Sequence, residues 1–228
     1  MSNIDFGGNP NQRTPCVLVL DASGSMAETI STGKTRIDEL NRGLKTFEEA
    51  LGFDDTAIAR VLLSIVSVGG PNNNADVMMD WTDAINFESF ELTTGGATPL
   101  GKALLLALEL VDDVKKDLKN NGISYTRPWI IVISDGAPTD NVDQWNFAVK
   151  ECLEAEKNKK VEIFSIGVEG ADLQKLSQFS TKPPLMLSGM KFEELFVWLS
   201  SSLSAASRSR PGDSVQLPST DPWRYVGI

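Results

Sequence analysis

Two short, unbroken apolar runs constrain this chain most: residues 16–20, CVLVL, and residues 129–134, WIIVIS. A strand with one wet face alternates apolar and polar residues. A run with almost no polar position fits a strand buried on both faces, and such strands belong to parallel sheets with helices laid on either side. The intervening sequence supplies those helices. Residues 33–51 place Ile37, Leu40, Leu44, Phe47 and Leu51 on one helical face. Residues 99–118 do the same with Leu104, Leu108 and Val111, and 191–206 with Phe192, Leu195, Phe196, Leu199 and Leu203. Residues 143–157 and 173–179 read as two further helices. Residues 58–68 and 161–168 read as strands, 77–81 as a strand returning antiparallel after a turn at 72–76, and 185–187 as an edge strand. The expected fold class is α/β: a doubly wound, mostly parallel sheet with helices on both faces and one antiparallel edge strand.

Composition narrows the function. The chain of 228 residues carries a net charge of −10, which repels phosphate backbones and anionic lipid; neither nucleic acid nor membrane insertion is expected. No apolar run is long enough to span a bilayer, and residues 1–15 hold no secretory core, so a cytoplasmic location is expected. There is no histidine. Ser-His-Asp and Cys-His catalysis therefore cannot occur within this chain, and the commonest zinc ligand is missing. Cys16 and Cys152 each sit in an apolar pattern and read as small core residues, with their pairing left open. Trp81, Trp129, Trp145 and Trp198 read as core or boundary aromatics rather than a binding stripe. After residue 206 the helical period ends. Pro211, Pro218 and Pro222 mark a tail, in which Trp223 and Tyr225 are expected to dock on this domain or on a partner.

Three loops carry candidate chemistry. Asp21-Ala22-Ser23-Gly24-Ser25 follows the first strand, Gly95-Gly96-Ala97-Thr98-Pro99 precedes the long helix, and Asp135-Gly136 follows the second unbroken run. Singly, each has a local explanation. Aspartate and serine favour turns and caps, and Thr98 before Pro99 suits a helix N-cap. Taken together they point to a site. In a doubly wound sheet the ligand crevice lies beyond the carboxyl ends of the strands, where the strand order reverses. If the strands before Asp21 and Asp135 are neighbours there, two carboxylates converge with three hydroxyls. That is an all-oxygen set, which selects Mg²⁺, Mn²⁺ or Ca²⁺ over zinc. Two carboxylates only neutralise a divalent ion, so an anionic oxygen from outside suits its remaining position. Glu28 and Asp140 flank the expected mouth and read as surface charge; either would close the site internally if the ion were purely structural.

Asp21-x-Ser23-x-Ser25 with Thr98 and Asp135 resembles the metal-ion-dependent adhesion site of von Willebrand factor A domains. The resemblance covers residues 14–206, leaving an N-terminal arm, 1–13, and a C-terminal tail, 207–228. It implies that Ser23, Ser25 and Thr98 coordinate one divalent ion, Mg²⁺ first, through their hydroxyls, and that Asp21 and Asp135 bind it directly or through water. It implies a non-enzymatic module that grips an Asp or Glu of a partner protein. The segments GGATPLGKAL, SDGAPTD and FVWLSSSLSAASRS are similar to the bacterial TerY type, which is linked with tellurite resistance and stress response, a Ser/Thr kinase and a protein phosphatase. The alternative is a Mg²⁺-dependent phosphohydrolase using Asp21 as nucleophile. Such enzymes usually need a second acid two residues on, where this chain has Ser23, and no glycine-rich phosphate loop is present.

Overall fold

The computed structural model describes residues 4, 6–30, 33–187, 189, 191–209, 215–221 and 224. Its elements are β1 (Thr14–Ala22), α1 (Arg36–Gly52), α2 (Asp55–Arg60), β2 (Val61–Gly69), β3 (Asn74–Asp83), α3 (Leu100–Asn120), β4 (Trp129–Ser134), α4 (Val142–Lys157), β5 (Glu162–Gly167), α5 (Leu173–Leu176), β6 (Leu185–Met186) and α6 (Phe192–Arg208). They form one six-stranded sheet in the order β3-β2-β1-β4-β5-β6. Only β3 runs antiparallel, against β2. The expected fold class holds. β1 pairs in parallel with β2 on one side and β4 on the other, so the strand order reverses at the β1/β4 boundary.

The two faces of β1 show why its sequence reads as an unbroken apolar run. Cys16, Leu18 and Leu20 join the core beneath α1 and α6, with Phe47, Phe192, Phe196 and Leu199. Val17 and Val19 join the core beneath α3 and α4, with Leu104, Val111 and Trp145. The cysteines are divided the same way, Cys16 to the first core and Cys152 to the second, and both are free thiols. Burial pushes the Cys152 thiol up to about 12 and the Cys16 thiol further, so both stay protonated packing groups. Trp81, Trp129, Trp145 and Trp198 are all buried.

Two sequence expectations are corrected. Residues 58–60 are not strand but the end of α2. Asp54 caps that helix, its Oδ1 accepting the Thr56 and Ala57 amides at 2.9 Å each, and the β-branched run enters the sheet only at Val61. Thr98 is not a side-chain N-cap. The residue before α3 is Pro99, and Asp140 caps the helix from a different loop, accepting the Gly101 amide at 2.9 Å and the Lys102 amide at 3.1 Å. A capping partner 39 residues away leaves no local pattern to read.

Part of the tail lies on the body. Leu217 packs against the first core, the Trp198 indole donates to the Pro218 carbonyl at 3.0 Å, and Arg224 forms an antiparallel bridge with Leu187. Trp223 and Tyr225 lie outside the described residues. No helix among the described residues is long and apolar enough to cross a membrane.

Candidate functional site

The register of β1 against β4, Leu20 opposite Ile133, brings the ends of both strands to one edge. Asp21 is fully buried there. Its Oδ1 accepts the Ser23 amide at 2.9 Å and its Oδ2 the Ser134 hydroxyl at 2.5 Å. Ser134 is itself fixed, its Oγ accepting the Gly136 amide at 3.0 Å. The Ser23 and Ser25 hydroxyls lie 3.1 Å apart, and the Ser25 hydroxyl donates to Asp135 Oδ2. Asp135 Oδ1 accepts the Ala137 amide at 3.2 Å. Asp21, Ser23, Ser25, Ser134 and Asp135 thus form one continuous chain of oxygen atoms and amides.

No lysine or arginine among the described residues forms an ion pair with Asp21 or Asp135. Burial pushes the Asp21 carboxyl above the usual carboxylate range and the neighbouring Asp135 charge pushes the same way. The hydrogen bonds from Ser134 and Ser23 offset only part of that. A buried acid beside a second acid with no base is an environment that a cation relieves, and the surrounding hydroxyls are hard oxygen donors. Among the described residues there is no group of three or more Cys, Asp or Glu placed to hold a metal, so an ion here would depend on the hydroxyls as well as the two carboxylates.

Thr98 reaches this edge on a loop bound from three sides. The Gly95 amide donates to Ala22 O at 2.9 Å, the Gly24 amide to Gly96 O at 3.1 Å, and the Thr98 amide to the Thr139 hydroxyl at 3.0 Å, with the Thr139 amide returning to Thr98 O at 2.9 Å. Gly69, with φ of +82°, closes the junction; a Cβ there would lie 2.5 Å from Ala97 O and 2.9 Å from Ser23 Cα. Thr98 is buried, yet its hydroxyl makes no hydrogen bond to the other four predicted residues. The structure therefore links Asp21, Ser23, Ser25 and Asp135 directly and brings in Thr98 through its backbone.

The model of the von Willebrand factor type A domain matches residues 16–196. The chain belongs to this family. VWA domains are commonly metal-dependent protein-interaction modules and mostly not enzymes. Among solved structures, the VWA fold of this chain is similar to the pilus adhesin SpaC from Lactobacillus rhamnosus GG, with 14% identity and a TM-score of 0.64 over 87% of this chain and 32% of that one. This VWA chain thus spans about a third of the adhesin's length. It is also similar to the VWA domain of SpRpn10, with 14% identity and a TM-score of 0.54 over 80% and 93%. The third is the vWF domain of the type V pili tip protein Mfa5 from Porphyromonas gingivalis, with 12% identity and a TM-score of 0.64 over 89% and 99%. At such identities the likeness is one of fold. No curated protein matches the sequence.

The two flanking acids of this VWA domain are engaged elsewhere. Glu28 pairs with Arg36 at 3.0 Å, and Asp140 is held by the α3 amides. Ser134 does not stand out in the sequence, because a serine closing an apolar strand reads as a strand end. Its place directly before Asp135 is the one available signal.

Proposed function

We propose that Asp21, Ser23, Ser25, Thr98 and Asp135 hold one divalent cation, Mg²⁺ first and Mn²⁺ or Ca²⁺ by the same oxygen chemistry, and that the ion recruits a carboxylate from a partner protein. The supporting observation is the buried Asp21 carboxyl beside Asp135 with hydroxyl and amide partners but no base. When bound, the ion supplies a positive centre that an anionic oxygen can enter. Ser134 and the Ser23 amide orient the Asp21 carboxylate, and Ser25 orients Asp135. Because Glu28 and Asp140 are committed to Arg36 and to α3, neither is free to close the site from within, which favours an external acid over a purely structural ion. The phosphohydrolase reading lacks a general acid: Ser23, two residues after Asp21, sits against Ser25 and cannot protonate a leaving group near neutral pH.

On this reading residues 14–206 are the binding module, 1–13 an arm and 207–228 a tail. The protein is a cytoplasmic adaptor of the TerY type acting in stress response or tellurite resistance, with a Ser/Thr kinase and a protein phosphatase as partners. The test is calorimetric titration with Mg²⁺ and a pull-down from native extract in Mg²⁺ or EDTA. Wild type binds the ion and Asp21→Ala and Asp135→Ala do not; EDTA releases the partner. A complex that survives EDTA removes the metal from recognition, and Mg²⁺-dependent hydrolysis of a generic phosphomonoester restores the enzyme reading.

A further inference from the structure

Thr98 is the one predicted ligand that the hydrogen-bonded cluster does not fix through its own side chain, so its placement depends on the loop that carries it. Two side chains from outside the three motif loops bind that loop: Thr139, whose hydroxyl accepts the Thr98 amide at 3.0 Å, and, from the other side of the sheet edge, Asn73. Asn73, in the turn between β2 and β3, accepts the Ala97 amide on its Oδ1 at 2.5 Å. Its backbone is left-handed, with φ of +53°, one of two such non-glycine residues described. Strained backbone of this kind persists where the surroundings impose it, and asparagine is among the few residues that tolerate it. The surroundings here are close. Asn73 N donates to Gly70 O at 3.0 Å, Gly70 N donates to both Ala22 O and Gly95 O, and a Cβ on Gly96 would meet Asn73 Oδ1 at 2.5 Å and its Cα at 2.8 Å. The next residue, Asn74, receives Lys102 Nζ from α3 at 2.6 Å. The turn is therefore seated between the end of β1, the glycine loop and the start of α3.

We propose that Asn73 is a positioning residue for Thr98: its side-chain carbonyl fixes the Ala97 peptide and thereby aims the Thr98 hydroxyl at the cation cluster. This rests on the reading of that cluster as a cation site. Asn73 touches neither the ion nor the partner, and acts only through the loop.

The test uses the full chain with Mg²⁺ as probe. Asn73→Gly accepts the positive φ but has no acceptor; Asn73→Asp keeps an acceptor and tolerates the backbone. Asn73→Gly is expected to weaken Mg²⁺ binding about tenfold, the scale seen when a residue supporting a metal ligand is lost. It should also speed hydrogen exchange at the Ala97 amide in the metal-free protein, with the melting temperature held. Asn73→Asp should restore slow exchange and most of the affinity. Asn73→Gly with wild-type affinity, or with unchanged Ala97 exchange, overturns the role of Asn73. A wild-type protein that takes no Mg²⁺ overturns the cation site itself, and the role of Asn73 with it.

Discussion

Arg13 and Asp83, at the amino end of the parallel strands, form an ion pair of 2.7 Å with both side chains shut away from water, whereas Asp21 and Asp135, at the carboxyl end, form no ion pair among the described residues; the Arg36 guanidinium reaches the cluster only at the Ser25 carbonyl, at 3.3 Å. The same contrast runs along both edges. At the amino end Lys182 joins Glu156, at 2.9 Å, and Glu162, which also holds Arg127; Asp54 takes the Ser204 hydroxyl and Arg208. The amino end answers its buried charge within the chain, so those residues serve the fold. At the carboxyl end the two acids are held by hydroxyls and amides rather than by an ion pair, and that is where the proposed ion would bind.

The largest effect that can break this comparison is at Arg13. Arg13→Ala removes the ion-pair partner of the buried Asp83 and should cost about 3–5 kcal/mol in urea unfolding, with Mg²⁺ binding by the folded fraction unchanged. A loss below about 1 kcal/mol would mean that the pair is not holding the amino end. At the opposite end the pattern should invert. Asp21→Asn should abolish Mg²⁺ binding in calorimetry while moving the metal-free stability by no more than about 1 kcal/mol, because repulsion from Asp135 disappears with the charge. A metal-free loss as large as that of Arg13→Ala would erase the difference between the ends.

Acid sharpens the contrast more gently. Burial alone would raise the Glu156 carboxyl, but the Thr181 amide, Lys182 and the Ile163 amide outweigh it and hold the group below its usual range. A depressed folded value means that the stabilisation is complete above the ordinary glutamate value, about 4.3, and drains away as pH falls through the lower folded value. The melting temperature should therefore fall more steeply below about pH 4.3 in wild type than in Glu156→Gln, which starts lower and has nothing there to titrate. Equal slopes would take Glu156 out of the acid response. The smallest effect concerns the tail. Ending the chain at Ser209 removes the Leu217 packing and the Trp198–Pro218 hydrogen bond, and should cost about 1 kcal/mol with Mg²⁺ affinity intact.

How much was legible follows from where each determinant sits in the chain. β1 and β4 are readable because burial on both faces writes itself into consecutive residues, as in Val17 through Leu20. Asp21, Ser23 and Ser25 are readable because they are neighbours in sequence, and Asp135 because it ends a second such strand. The start of β2 is hard to place from the sequence because Ile58 is β-branched, while the signal that wins there is Asp54 capping a six-residue helix. The cap of α3 is not legible because Asp140 arrives from another loop, and neither is the Asn73 contact, because a left-handed backbone and a partner 24 residues away leave no periodic trace.

Ser25 and Asp135, joined by one hydrogen bond, are 110 residues apart in the chain. The two carboxylates can therefore meet only once the segment that carries β2, β3, α3 and β4 has been made. Closing so long a loop delays the step relative to local helix and hairpin formation. A nascent chain that has not yet released β4 cannot display the cluster, and neither can a proteolytic fragment lacking it. Any ion that binds there recognises the joined ends of β1 and β4, adding about 2.7 kcal/mol to stability when present at a hundred times its dissociation constant. Occupancy of the cluster would thus report that the chain has folded at least through β4.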